Sequence, residues 1–145
     1  MVALLRKPVT NERFNVQTFL PYSCFTKSAQ VLDKKRLGKQ RVEAMQIINV
    51  LEGRGRGWEN HPCTIMWDGY VEALKLYHNA VVMEWISRGY NNTMTLFEVG
   101  ELVIPRWLGW ECLHKSHRES LLFKDYIHYS QFNWAENPRN GVYWP

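Results

Sequence analysis

Through most of the chain, apolar positions recur at spacings of three and four, the period of an amphipathic helix. Leu37, Arg41, Ala44, Ile48 and Leu51 form one such row, widened by Val42, Met45 and Ile47, and predict a helix from about Leu37 to Leu51. Arg41 borders the buried stripe of that helix, while Lys39, Glu43 and Gln46 share a neighbouring face. Met66, Tyr70, Ala73, Leu74, Tyr77, Val81 and Trp85 trace a second row. It predicts a central helix of about 25 residues that starts at His61-Pro62 and stops at Arg88-Gly89, a cationic last turn followed by a C′ glycine. His78 on this helix is expected to be a structural residue at its surface or boundary.

A short helix is expected from Ser23 to Leu32, with Phe25, Ala29 and Leu32 on one side. Before it, Gln17 to Tyr22 reads as extended, because Pro21 disfavours the helical region at Leu20. A basic loop then leads into the Leu37 helix. A last helical region spans Glu111 to Lys124 and restarts through Phe132. Asn91 to Glu101 is ambiguous, one helical turn at Thr95 to Val99 being one option, and Pro105 and Gly109 bracket the aromatic segment Trp107 to Trp110 as a loop. The tail from Asn137 to Pro145 has turn residues followed by aromatics and is expected to strap across the surface. No repeat and no strand-rich block is visible. The expected fold class is all-α: a single compact helical domain over residues 17–145, with a long central helix and extended terminal segments. Residues 1–16 precede it as an extension.

Composition adds limits. A chain of 145 residues with 46% hydrophobic and 22% charged content can bury a real core. It has no apolar run long enough to span a membrane and no signal-peptide pattern, so a cytoplasmic setting is expected. Cys24, Cys63 and Cys112 are far apart, which fits reduced thiols better than a disulfide or zinc framework. The net charge of +4 permits a nucleic-acid partner without requiring one.

The charge is not evenly spread. Lys34, Lys35, Arg36, Lys39 and Arg41 fall within eight residues that contain no acid. Cations at a helix start oppose the macrodipole, so an external polyanion is the natural partner; a solvated charged face is the bland alternative. Glu43 follows as a lone carboxylate among these cations, with Lys39, Gln40, Arg41 and His61 as its candidate neighbours. Such a carboxylate can stabilise positive charge on a sugar as a base departs, or deprotonate an attacking group. Gly53 to Trp58 alternates glycine with Arg54 and Arg56, which suits a phosphate-approaching loop or a plain surface linker. His114-x-x-His117-Arg118 places two histidines on one helical face. No third metal ligand is evident, and Lys115, Arg118 and Lys124 would repel a cation. Phosphate contacts, or structural hydrogen bonds by the histidines, are the readings left, and no metal or other cofactor is expected. No Walker loop, dinucleotide fingerprint or zinc-protease helix is present.

Leu37-Gly38-Lys39-Gln40-Arg41-Val42-Glu43, with Gly53 to Trp58 and Asn60-His61, resembles the pyrimidine-dimer DNA glycosylases with abasic-site lyase activity, the endonuclease V type. More narrowly, Gln17 to Tyr22, Leu32 to Ala44, Asn60-His61-Pro62 and Leu113 to Arg118 with Leu121-Leu122 and Lys124-Asp125 resemble an actinobacterial and phage branch. The resemblance implies a helical fold that flips a base out of damaged DNA. It also implies excision of damaged or modified pyrimidines through an N-terminal α-amine and a helical glutamate, a role that falls on Glu43 beside Arg41. His61 joins them as a catalytic candidate. Lys35, Arg36, Lys39, Gln40, Arg54, Arg56, His114, His117, Arg118 and Lys124 are the expected DNA contacts, and Tyr22, Trp58, His61 or Trp107 the candidates to wedge the duplex. The expected partner is double-stranded DNA, met by a monomer.

The chain departs from the family pattern in two ways. Val42 separates Arg41 from Glu43, and sixteen residues precede Gln17. Three routes remain open: an extension that folds back to bring the Val2 amine in, a start at Val16, or loss of the amine chemistry with Glu43 activating water. A non-catalytic DNA-binding or inhibitory protein on the same scaffold is the rival reading.

Overall fold

The computed structural model describes residues 16–55, 57 and 59–145. The expected extension up to residue 15, Arg56 and Trp58 lie outside the described residues. Six helices follow in order: α1 (Phe25–Val31), α2 (Lys34–Leu51), α3 (Pro62–Trp67), α4 (Val71–Ser87), α5 (Glu111–Lys124) and α6 (Tyr126–Tyr129), with a 3₁₀ turn at Ser130–Phe132. No strand occurs among the described residues, and the chain is all-α.

Helix α2 begins three residues earlier than its apolar pattern predicts, so the expected basic loop is the helix's first turn. Asp33 makes this possible as N-cap. Its carboxylate accepts from the Arg36 backbone N–H at 3.3 Å and pairs with the Arg36 guanidinium at 3.1 Å. The Tyr129 hydroxyl, from α6, donates to the same carboxylate at 2.5 Å. Burial would raise the Asp33 pKa, but Tyr129 and Arg36 more than offset it and hold the carboxyl below its ordinary value. Asp33→Ala should therefore cost about 1–2 kcal/mol in urea unfolding at neutral pH, the usual scale of a lost cap. Because a lowered carboxyl pKa stabilises only above the unfolded value, that difference should shrink as pH falls through the acid range.

The buried stripe of α2 consists of Leu37, Gln40, Ala44, Ile47 and Ile48. It faces α4, whose Ala73, Leu74, Tyr77, His78, Val81 and Val82 are buried, and α1 packs on α4 beside it. His78 is thus interior, not a boundary residue. Close approach of α2 and α4 is visible at Gly38, where an added Cβ would meet the Trp85 ring at 3.2 Å.

The expected 25-residue helix is two helices. Gly69, at φ +84°, turns the chain between α3 and α4. A left-handed backbone there interrupts the helical ladder, and Asp68-Gly69 is a turn signal that the apolar periodicity overran. Thr95 to Val99 is not a helical turn either. The segment runs extended along α4, tied by reciprocal bonds between the Asn79 amide and the Phe97 backbone at 2.9 Å and by Glu72 accepting from the Gly100 N–H at 2.6 Å.

Trp107 anchors the next turn from inside, its indole donating to the Met66 carbonyl at 2.8 Å and its ring set edge-on to Trp67 at 4.9 Å. The tail then crosses α5, where the Tyr143 N–H donates to Ser116 Oγ at 2.8 Å.

Candidate active site

The site is assembled on an extended segment, residues 16–21, that carries no regular structure of its own. Its backbone groups must therefore find partners elsewhere. Gln40, buried on α2, donates to the Gln17 carbonyl at 2.7 Å, and its Oε1 accepts from the Phe19 N–H at 3.2 Å. The Tyr77 hydroxyl, from α4, lies 2.6 Å from the same Oε1 and 2.9 Å from the Phe19 carbonyl. From α5, His117 Nδ1 accepts from the Leu20 N–H at 2.8 Å, and Arg118 donates to the Pro21 carbonyl at 2.8 Å. His114 Nε2 accepts from the Gly109 N–H at 2.9 Å, which leaves its proton on Nδ1 to donate to the Leu20 carbonyl at 2.8 Å. Thr18 Oγ1 takes the Trp67 indole N–H at 3.0 Å. Six residues from three helices and the α3 core thus fix one short strip of backbone.

Against this strip, α2 sets Lys35, Lys39 and Glu43, each one turn after the last. Four residues bring a side chain back to the same face. Together with Arg36, Gln17, Phe19 and Lys124 from the end of α5, they line a pocket of about 210 Å³. Glu43 is the one acid among the described residues that line it. Burial pushes its pKa up to about 7, against the opposing pull of Lys39, the Gln17 backbone, Gln40 and Lys124. Gln40 Nε2 stands 3.5 Å from its carboxylate. A carboxyl so poised exchanges a proton near neutral pH, which is the condition for acid–base work.

A family model described as pyrimidine dimer DNA glycosylase matches residues 16–98, more than half of the chain. The chain belongs to this family. No curated protein and no solved structure matches it. The match includes the extended strip and Glu43 but not Lys124, nor the α5 residues that hold the strip.

Other expected site residues of this pyrimidine-dimer-glycosylase family member lie elsewhere. Two residues take a side chain about 200° around a helix, so Arg41 faces away from Glu43. Its guanidinium stacks on the Trp85 ring at 4.0 Å and donates to Asn92 Oδ1 at 3.2 Å. His61 caps α3, accepting from the Cys63 N–H at 3.0 Å, and its ring abuts Trp144. Arg54 pairs with Glu52 at 2.6 Å beyond the far end of α2.

His114 and His117 are buried. Burial drives the His117 pKa down to about 3, so it stays neutral and serves as an acceptor for the strip, out of reach of a phosphate. Arg118 is engaged by Glu136 at 2.8 Å and by Glu111. Gln40 is likewise interior. Of the wedge candidates, Trp107 is core, and Tyr22 accepts from the Trp134 indole at 2.7 Å. Cys63 is inert: burial pushes its thiol up to about 12.

Helical spacing in the sequence leads to Lys39 and Glu43, and the earlier start of α2 adds Lys35 to their face. Gln17, Phe19 and Tyr77 carry no local mark of their roles, which arise from contacts across 23 to 58 residues of sequence. Among the described residues, no group of three His, Cys, Asp or Glu side chains could hold a metal, and no helix is long and apolar enough to cross a membrane.

Proposed function

We propose that this chain is a DNA glycosylase that excises damaged or modified pyrimidines, pyrimidine dimers among them, with Glu43 as its acid–base group. The observation that carries this reading is a half-buried carboxyl, titrating near neutrality, as the lone acid among the described residues of a pocket lined by three lysines and an arginine. Phosphates flanking a flipped nucleotide would meet Lys35, Arg36, Lys39 and Lys124, and the sugar would sit against Glu43.

As the bond from C1′ to the base breaks, its electron pair leaves with the base and positive charge develops on the sugar. The Glu43 carboxylate opposes that charge. It then takes the proton of a water that attacks C1′, or of an amine if one reaches the pocket. The Gln17 backbone N–H hydrogen-bonds the Glu43 carboxylate. A chain whose first residue were Gln17 would therefore hold its α-amine beside Glu43, with the partly neutral character an α-amine has near pH 8.

Defined lesion duplexes, scored for free base and for strand nicking, test the proposal, and borohydride separates the nucleophiles. A trapped covalent adduct identifies an amine and predicts nicking. Base release without trapping identifies water. Salt-dependent binding with no product on any lesion would leave a DNA-binding protein and remove the enzyme. Replacing Lys35, Lys39 or Lys124 by Gln should each reduce the slope of log affinity against log salt by about one, uniformly across sequences.

A further inference from the structure

Beside the pocket, α5 and α6 expose three large apolar side chains: Phe123 at 55%, Tyr126 at 59% and Ile127 at 90%. A single exposed apolar residue is ordinary, but three within five residues of sequence, around a pocket-lining lysine, mark a contact surface. Their outward aim is built in. His128 and Tyr129 turn inward, the first to the Val31 carbonyl at 2.8 Å and the second to Asp33 at the head of α2. That leaves Ile127 projecting. The Tyr129 bond pins α6 to the head of α2, the end that bears Lys34, Lys35, Arg36 and Lys39, and the His128 bond pins it to the end of α1; Lys124 sits between Phe123 and Tyr126 in sequence while lining the pocket.

We propose that Ile127, with Phe123 and Tyr126 beside it, is the wedge that enters the base stack when the duplex is bound. This inference rests on the DNA reading above. Charge complementarity selects the occupant: a phosphate backbone gripped by the lysines brings the stacked bases, the apolar part of the duplex, against this ridge. Insertion replaces the stacking that a nucleotide loses when it leaves the helix for the Glu43 pocket. The ridge is then a positioning device, and the chemistry stays with Glu43.

The test is fluorescence of 2-aminopurine placed next to a cyclobutane pyrimidine dimer, which brightens on unstacking. The probes are the full chain, the Ile127→Ser/Phe123→Ser variant, and Ile127→Leu as the conservative control. Wild type and Ile127→Leu should brighten the probe. The double variant should bind with affinity unchanged to within about threefold, since the lysines remain, yet leave the probe dark, and its base release from duplex should fall at least about tenfold. Release from a single-stranded lesion, which needs no unstacking, should not change. A double variant that brightens the probe like wild type overturns the wedge. So does a wild type that leaves it dark, or one that binds phosphatidylserine vesicles through this ridge and leaves duplex stacked. Brightening by wild type with no base released from any lesion would uphold the wedge and end the glycosylase reading.

Discussion

Replacing Glu43 by Gln should leave lesion-duplex affinity intact and slow base release by at least about 100-fold, the scale of a lost acid–base group. Gln fills the same space and can keep the contact with Gln40, so the pocket's shape and its lysines are retained. What disappears is the ability to carry negative charge and to accept a proton. Single-turnover release of free base, measured with enzyme in excess, isolates that step from product release. The pH profile supplies the second signature. With the carboxyl pKa near 7, wild-type release should climb as pH rises toward neutrality and level off above it, because the ionised form is the active one. The variant should lack that limb. A variant with wild-type turnover, or with the same rising limb, would remove Glu43 from the mechanism.

The same substitution should stabilise the fold in alkaline solution. A carboxyl raised from 4.5 to about 7 on folding holds its proton in the native state where the unfolded chain has already lost it. Stability therefore falls as pH rises through that window and is flat above it. The fall amounts to about 3 kcal/mol at most, from 1.36 kcal/mol for each tenfold change in proton affinity. Gln cannot ionise and escapes it. Urea midpoints for wild type and Glu43→Gln should nearly coincide at pH 4.5 and separate in favour of the variant by pH 8. Equal gaps at both pH values would mean that the carboxyl is not desolvated as the pocket geometry implies. Gaining stability while losing turnover would fit a residue kept for chemistry at the expense of the fold.

Much of the architecture was legible in the sequence because it rests on local periodicity. The apolar rows of α2 and α4 follow from residues three and four apart, and Pro21 correctly keeps the residues before it out of a helix. Two errors share a cause. Periodicity ran straight through Asp68-Gly69, where one left-handed residue outweighs the row around it. It also started α2 at its first apolar residue, although Asp33 had already begun the helix.

In the site, spacing was enough to put Lys39 and Glu43 on one face, whereas Lys35 joins them only because the helix starts at Lys34. Spacing was not enough for Arg41, because a basic side chain beside Glu43 in sequence lies across the helix from it. Nor was it enough for His114 and His117. Their polarity suggested a ligand surface, whereas they satisfy the backbone of a strip about a hundred residues away. Polar residues used as internal fasteners look the same in sequence as those that meet substrate.

That fastening has a consequence for synthesis. The strip at residues 16–21 is made early, yet His114, His117 and Arg118, which clamp it, are among the last third to be translated. Helices α1, α2 and α4 can pack as soon as they emerge, whereas the wall of the pocket waits for α5. A nascent chain of which only the first hundred or so residues had emerged would hold a helical core with its glutamate in place and no pocket closed around it. Closure of the pocket therefore waits for α5.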